Sequence, residues 1–151
     1  MICLPRSSPL PRSSRAYWLV KSEPFKYAWE KLVSDGRTQW DGVRNAEARN
    51  NLRSMAAGDR VLFYHSNEGK EVVGIAAVSR EAYPDPTTDD ERWLVVDIEP
   101  IKPLREPVSL ATIKGDAELK DVALVRRSRL SVIPLSHEHY ARILELGKTR
   151  G

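Results

Sequence analysis

Hydrophobic positions along this chain change their period several times, and each change marks an element. Residues 16–21 (AYWLVK) form a run rich in aromatic and branched side chains, the pattern of a strand. Ser22-Glu23-Pro24 ends that run and supplies helix-start chemistry. Phe25, Ala28, Trp29, Leu32 and Val33 then recur at helical spacing before Gly36, which predicts an amphipathic helix with a glycine stop. Gln39-Trp40 leads into an Asp41-Gly42 turn. A second helix is expected over about 44–55, with Ala48, Leu52, Met55 and Ala56 on its core face. After Gly58 the period shortens to that of strands, at 60–65, 71–79 and 93–98, with a hairpin-type turn at Asn67-Glu68-Gly69-Lys70. Residues 84–91 read as a polar loop, 109–114 as a short helix, 122–125 and 130–133 as strands, and 136–146 as a closing helix ended by Gly147. There is no internal repeat and no regular βαβ alternation. Short helices interleaved with several strands predict an α+β fold around a small mixed sheet or barrel.

Residues 1–15 (MICLPRSSPLPRSSR) stand apart from this pattern. They are rich in proline, serine and arginine, lack apolar periodicity and are expected to form a disordered tail before a single domain at 16–148. An acid-free, arginine- and serine-rich start also fits an organelle transit peptide, although the prolines at 5, 9 and 11 spoil the amphipathic helix such a peptide uses. The tail changes the reading of charge. The 151-residue chain has a net charge of +3, all of it supplied by Arg6, Arg12 and Arg15. The rest balances at 21 basic and 21 acidic residues, so any nucleic acid must be held by a local patch rather than by overall charge. No run approaches the roughly 18 apolar residues of a membrane span. The lone Cys3 excludes an internal disulfide framework and a cysteine-built zinc site. A soluble protein is expected, cytoplasmic if bacterial and nuclear if eukaryotic, with no metal, no cofactor and a monomeric state.

Catalytic patterns are poorly supported. His65 and Ser66 adjoin, but neighbours on a strand point to opposite faces and cannot act as a dyad. His137 and His139 lie about 200° apart around a helix, too far round to chelate one metal from it. Neither GxGxxG nor a Walker sequence occurs. The chain is therefore expected not to be an enzyme. The aromatic residues carry more information. Trp29 and Trp93 read as core, whereas Trp18 is followed by Lys21, Ser22 and Glu23, and Trp40 by Asp41, Arg44 and Asn45. A flat ring beside hydroxyl, amide and carboxylate groups suits an extruded base, by stacking and edge hydrogen bonds, and equally suits a buried structural tryptophan. Asn45, Arg49 and Arg53 form one stripe at i, i+4 and i+8, with no carboxylate at helical spacing from either arginine. Arg126-Arg127-Ser128-Arg129 makes a second cluster, with no acid between Asp121 and Glu138. Either cluster suits phosphate contacts or a solvated face.

Five ordered motifs then resemble one family. Tyr17-Trp18-Leu19-Val20-Lys21-Ser22-Glu23-Pro24 comes first, followed by Trp40-Asp41-Gly42-Val43-Arg44-Asn45 with Ala48-Arg49-Asn50. Phe63-Tyr64-His65-Ser66, Glu81-Ala82-Tyr83-Pro84-Asp85 and Arg129-Leu130-Ser131-Val132 follow in order. Together they are similar to the EVE domain of thymocyte nuclear protein 1-like proteins, over about residues 16–147. The resemblance implies a PUA-like fold, a small mixed β-barrel with peripheral helices, related to YTH and ASCH domains. It also implies a non-catalytic module that reads a modified base, associated with modified cytosines in DNA and, for many bacterial members, with RNA. By motif position the base pocket would comprise Trp18, Lys21, Ser22, Trp40, Asp41, Asn45, Tyr64 and Ser66, with Tyr83 as an outer candidate. Arg49, Arg53, Arg127 and Arg129 would hold the backbone. The remaining alternatives are a protein- or small-nucleotide-binding module without polymer recognition, or an enzyme acting on modified nucleotides.

Overall fold

The 16–21 run forms strand β1 (Tyr17–Ser22), which lies parallel to β3 (Arg60–His65) with Tyr17 opposite Arg60 and Ser22 opposite His65. Parallel neighbours need a crossover. Here it is built from α1 (Trp29–Asp35), β2 (Thr38–Gln39) and α2 (Ala46–Ser54). β4 (Glu71–Pro84) and β5 (Leu94–Ser109) form a long antiparallel ribbon beside β3. After α3 (Leu110–Gly115) and α4 (Ala123–Arg126), β6 (Val132–Leu135) pairs antiparallel with the other side of β1, and α5 (His137–Leu146) closes the fold. The result is one mixed six-stranded sheet in the order β2-β5-β4-β3-β1-β6. This computed structural model describes residues 16–24, 26–41, 43–66, 69–127 and 129–150. The tail expected over 1–15 lies outside them, as do Phe25, Gly42, Asn67, Glu68 and Ser128.

The caps follow the local chemistry. Asn45, Ser109 and Ser136 each accept a backbone N–H from three residues on, at the starts of α2, α3 and α5. Gly36 ends α1 at φ 77°, a left-handed conformation that glycine adopts without strain. α1 has no side-chain cap of its own. Instead His65 Nε2 accepts the Trp29 N–H at 3.1 Å, so a strand residue satisfies one orphan donor of the helix.

Three expectations are corrected. Residues 122–125 are not a strand: Val122 O accepts the N–H groups of Val125 and Arg126, and the branched run enters the short helix α4. The strand expected at 93–98 continues to Ser109 through Pro100, Pro103 and Pro107. Those prolines are tolerated because β2 pairs only with Asp97 and Ile98, which leaves the outer side of β5 without a strand along the proline stretch. Val33, expected on the apolar face of α1, is 51% exposed; Trp29 and Leu32 alone carry that helix into the core.

Leu19, Leu62, Phe63, Ile75, Ile98 and Ile133, from five of the six strands, are wholly buried and belong to one core with Ala48 and Leu52 of α2. Trp29 packs directly over Gly74 of β4. A Cβ there would sit 2.6 Å from the indole ring, so the absence of a side chain at 74 is what admits the tryptophan.

Candidate nucleic-acid interface

A cleft of about 640 Å³ opens where β1 ends. One wall is Lys21, Ser22 and the turn that follows, with Glu23, Lys26 and Tyr27. The other runs from Thr38 and Gln39 of β2 through Trp40 and Asp41 to Val43 and Arg44, and Ser131 closes the rim. Backbone bonds fix each wall. Lys21 N–H donates to Ser131 O at 3.0 Å, which ties the end of β1 to the segment before β6. Trp40 N–H donates to Val96 O at 2.7 Å and extends the β2–β5 pairing by one residue. Ser22 Oγ donates to Tyr27 O at 2.6 Å, and Tyr27 N–H to Glu23 O at 2.9 Å, folding the turn back on the strand.

The lining is amphipathic. Trp40 is 9% exposed and stands edge-on to both Phe63 beneath it (5.6 Å between centroids) and Tyr27 beside it (6.3 Å, 81°). Tyr27 is half-buried and its hydroxyl donates to Asp35 at 2.9 Å. A planar group lying flat on one of these two rings therefore meets the other edge-on, a favourable aromatic geometry. Around them stand the Lys21 ammonium, the Ser131 and Thr38 hydroxyls, the Gln39 amide and the Asp41 and Glu23 carboxylates. Gln39 Nε2 reaches Asp41 at 3.4 Å. Burial lowers the Lys21 pKa below its ordinary value and raises that of Tyr27 above its own. The cleft thus offers flat apolar surface with donors and acceptors at its edge.

Of the eight expected pocket residues, Lys21, Ser22, Trp40 and Asp41 come together here. The other four stand outside the lining. Trp18 is buried, and its Nε1–H donates at 3.0 Å to the buried Asp59, which also accepts the N–H groups of Ala16 and Ala56. Tyr64 lies in the core, as does its neighbour Phe63, and burial raises its pKa. Asn45 Oδ1 is used as the cap of α2, accepting Ala48 N–H at 2.9 Å, and the residue lines a smaller hollow of about 330 Å³ with Arg127, Arg129 and Leu130. Ser66 N–H donates to Ser22 O at 2.8 Å, behind the cleft wall. Tyr83 sits farther along β4, where its hydroxyl donates to Asp97 at 2.5 Å; burial, and then that carboxylate, push its pKa up to about 12. Tyr27, Thr38, Gln39 and Ser131 were not expected. Gln39 stands next to Trp40 before a turn, and Ser131 lies inside the Arg129–Val132 motif; Tyr27 and Thr38 carry no such signal.

The arginines divide. Arg49 and Arg53 form no ion pair among the described residues; both donate to the neutral Oδ1 of Asn50, at 3.1–3.4 Å. Arg127, expected to be unpaired, makes a bidentate ion pair with Glu47 of α2, and Arg126 pairs with Asp121 at 2.7 Å. The acids that meet them lie 80 residues away for Arg127 and five for Arg126, beyond the spacing a helical pattern tests. Arg44 pairs with the buried Asp85, at 3.0 Å. Trp93, expected in the core, is half-buried, with the guanidinium carbons of Arg44, Arg49 and Arg92 at 5.6–5.7 Å from its ring centre. Among the described residues, no group of three or more His, Cys, Asp or Glu side chains is placed to hold a metal ion. Nor is any described helix long and apolar enough to cross a membrane.

With this geometry in view, the relatives can be placed. A solved protein from Agrobacterium tumefaciens superposes with a TM-score of 0.87 at 44% identity, covering 89% of this chain and 94% of its own. The human THYN1 protein, solved in complex with DNA containing 5-methylcytosine, superposes with a TM-score of 0.82 at 32% identity, over 90% and 99% of the two chains. Mouse thymocyte nuclear protein 1 is 35% identical over 167 aligned residues, 88% of this chain and 74% of its own. A yeast YTH domain from Zygosaccharomyces rouxii, 17% identical with a TM-score of 0.59 over 96% and 94% of the two chains, shares the fold, which is PUA-like. The model of the EVE domain matches residues 16–146. The chain belongs to the EVE domain family.

Proposed function

We propose that this domain is a non-catalytic reader that takes one modified base of a nucleic-acid strand, a modified cytosine above all, into the Trp40 cleft. The observation that carries the reading is the cleft itself: about 640 Å³, within the roughly 300–1,000 Å³ of small-ligand sites, with two aromatic walls and a polar rim. Its support from relatives is the human protein solved with 5-methylcytosine DNA. A base stacked on Tyr27 or the exposed margin of Trp40 gains roughly 1–3 kcal/mol. Gln39, Ser131, Asp41 and Lys21 are placed to pair with its edge. Arg49, Arg53 and Arg129 would hold the flanking backbone, whereas Arg127 would first have to release Glu47. Burying one methyl is worth about 0.8 kcal/mol, roughly four-fold in Kd, so the preference for a modified over a plain base is a modest one.

The test is a titration with matched short DNA and RNA strands, plain or carrying methylated or hydroxymethylated cytosine, near physiological salt. Tighter binding to one modified form, by several-fold, with the strand recovered unchanged after long incubation, is the expected result. Equal affinity for every form overturns the base-reading proposal, and an altered base after incubation overturns the non-catalytic one.

A further inference from the structure

Arg44 lines the cleft, and its guanidinium carbon lies 5.7 Å from the centre of the Trp93 ring, so one side chain links the cleft to that tryptophan. Three guanidinium groups within 5.7 Å of one ring centre repel each other, and the cation–π attraction of a single indole to each is a modest compensation. Carboxylates neutralise two of them: Asp85 for Arg44 and Asp90 for Arg92, at 3.0 and 2.6 Å. Arg49 has no such partner. It and Arg53 converge on the Asn50 amide oxygen, which stabilises their geometry without cancelling their charge. The other acids of the 85–92 loop, Asp89 and Glu91, form no ion pair among the described residues. On the α2 side of this array Arg49 and Arg53 are therefore guanidinium groups without an ion pair among the described residues.

We propose that this array is a phosphodiester-binding site, and that Trp93 is its positioning residue. This deepens the reading above and rests on it in one respect, that the phosphates belong to the strand whose base enters the cleft. Arg49 and Arg53 contact phosphate directly; Arg44 spans base site and backbone site; Trp93 keeps the side chains of Arg44, Arg49 and Arg92 extended over one ring. Arg49 would otherwise sample many rotamers, and a flat face that restricts it lowers the ordering cost of gripping an anion.

The discriminating variant is Trp93→Leu, because it removes no charge. Affinities for plain and methylcytosine-containing strands are measured against salt concentration for the wild type, Trp93→Leu, Trp93→Tyr and the double variant Arg49→Gln/Arg53→Gln. Trp93→Leu is expected to weaken plain and modified strands alike by about five-fold, with the ratio between them unchanged, and Trp93→Tyr to restore most of the loss. The double variant is expected to lower the slope of log K against log salt by about 1.5. Should Trp93→Leu fail to fold, the exposed double variant carries the test through its slope. Wild-type affinity and slope in both variants overturn the proposal. A wild type that does not distinguish modified from plain strands, with the variants behaving as expected, overturns the base reading and leaves this site standing.

Discussion

Asp59 shows how much one buried side chain can organise. Its two oxygens accept three donors, Trp18 Nε1–H, Ala16 N–H and Ala56 N–H, at 2.9–3.1 Å, and so bind the start of β1 to the turn that enters β3. Asp59→Ala leaves those donors unsatisfied in a buried place and is expected to cost at least about 3 kcal/mol in denaturant unfolding. Trp18→Phe loses only the indole bond and some packing, so a small loss of stability with unchanged base preference is expected; loss of preference in a folded Trp18→Phe protein would put Trp18 back into the pocket. His65 makes a pH prediction. Burial lowers its pKa below 6.5, against the opposing pull of Glu30 and Glu71, and its Nε2 must stay unprotonated to accept the Trp29 N–H. A histidine that resists protonation when folded leaves stability complete above the unfolded value. Stability then falls as the pH drops from 6.5 toward the folded value and levels off below it. Unfolding curves at pH 7 and 5.5 should show a smaller acid loss for His65→Gln, which keeps an acceptor and does not titrate, than for the wild type.

At the scale of elements, the contact of Trp29 with Gly74 joins α1 to β4 and gives a prediction of its own. Gly74→Ala forces a methyl to 2.6 Å from the indole and is expected to destabilise by about 1–3 kcal/mol. Adding Trp29→Leu should recover part of that loss, and strictly additive costs in the double-variant cycle would show that the two residues do not meet. The elements legible in the sequence are those whose pattern is local: β1 and β3 as apolar runs, α2 by its apolar face and α5 by the glycine that follows it. β5 was read short because prolines at 100, 103 and 107 argue against a strand, and only the sheet order shows that this stretch lies at an edge. At 122–125 four branched or apolar residues in a row fit either period, and the chain takes the helical one in α4. The cleft was half legible for a related reason. Trp40 and Asp41 adjoin in sequence, but Tyr27 and Ser131 reach the site through the 23–27 turn and the approach to β6, which no spacing connects.

Across the whole molecule the four tryptophans stand in different surroundings. Trp18 and Trp29 are buried in the core, Trp40 faces the cleft, and Trp93 lies outside it beneath three guanidinium groups. With the net charge balanced outside the first 15 residues, the proposed binding by a local patch is expected to show a salt dependence of a few phosphates rather than a coat of them. The most direct measurement is therefore an NMR titration that follows the four indole N–H signals, each assigned by substitution, as plain and 5-methylcytosine-containing strands are added. The Trp93 signal is expected to move with both strands, the Trp40 signal to move further with the methylated one, and the Trp18 signal, held by Asp59, to stay in place. A Trp40 signal that responds identically to both strands, or to neither, contradicts the claim that the modified base enters this cleft.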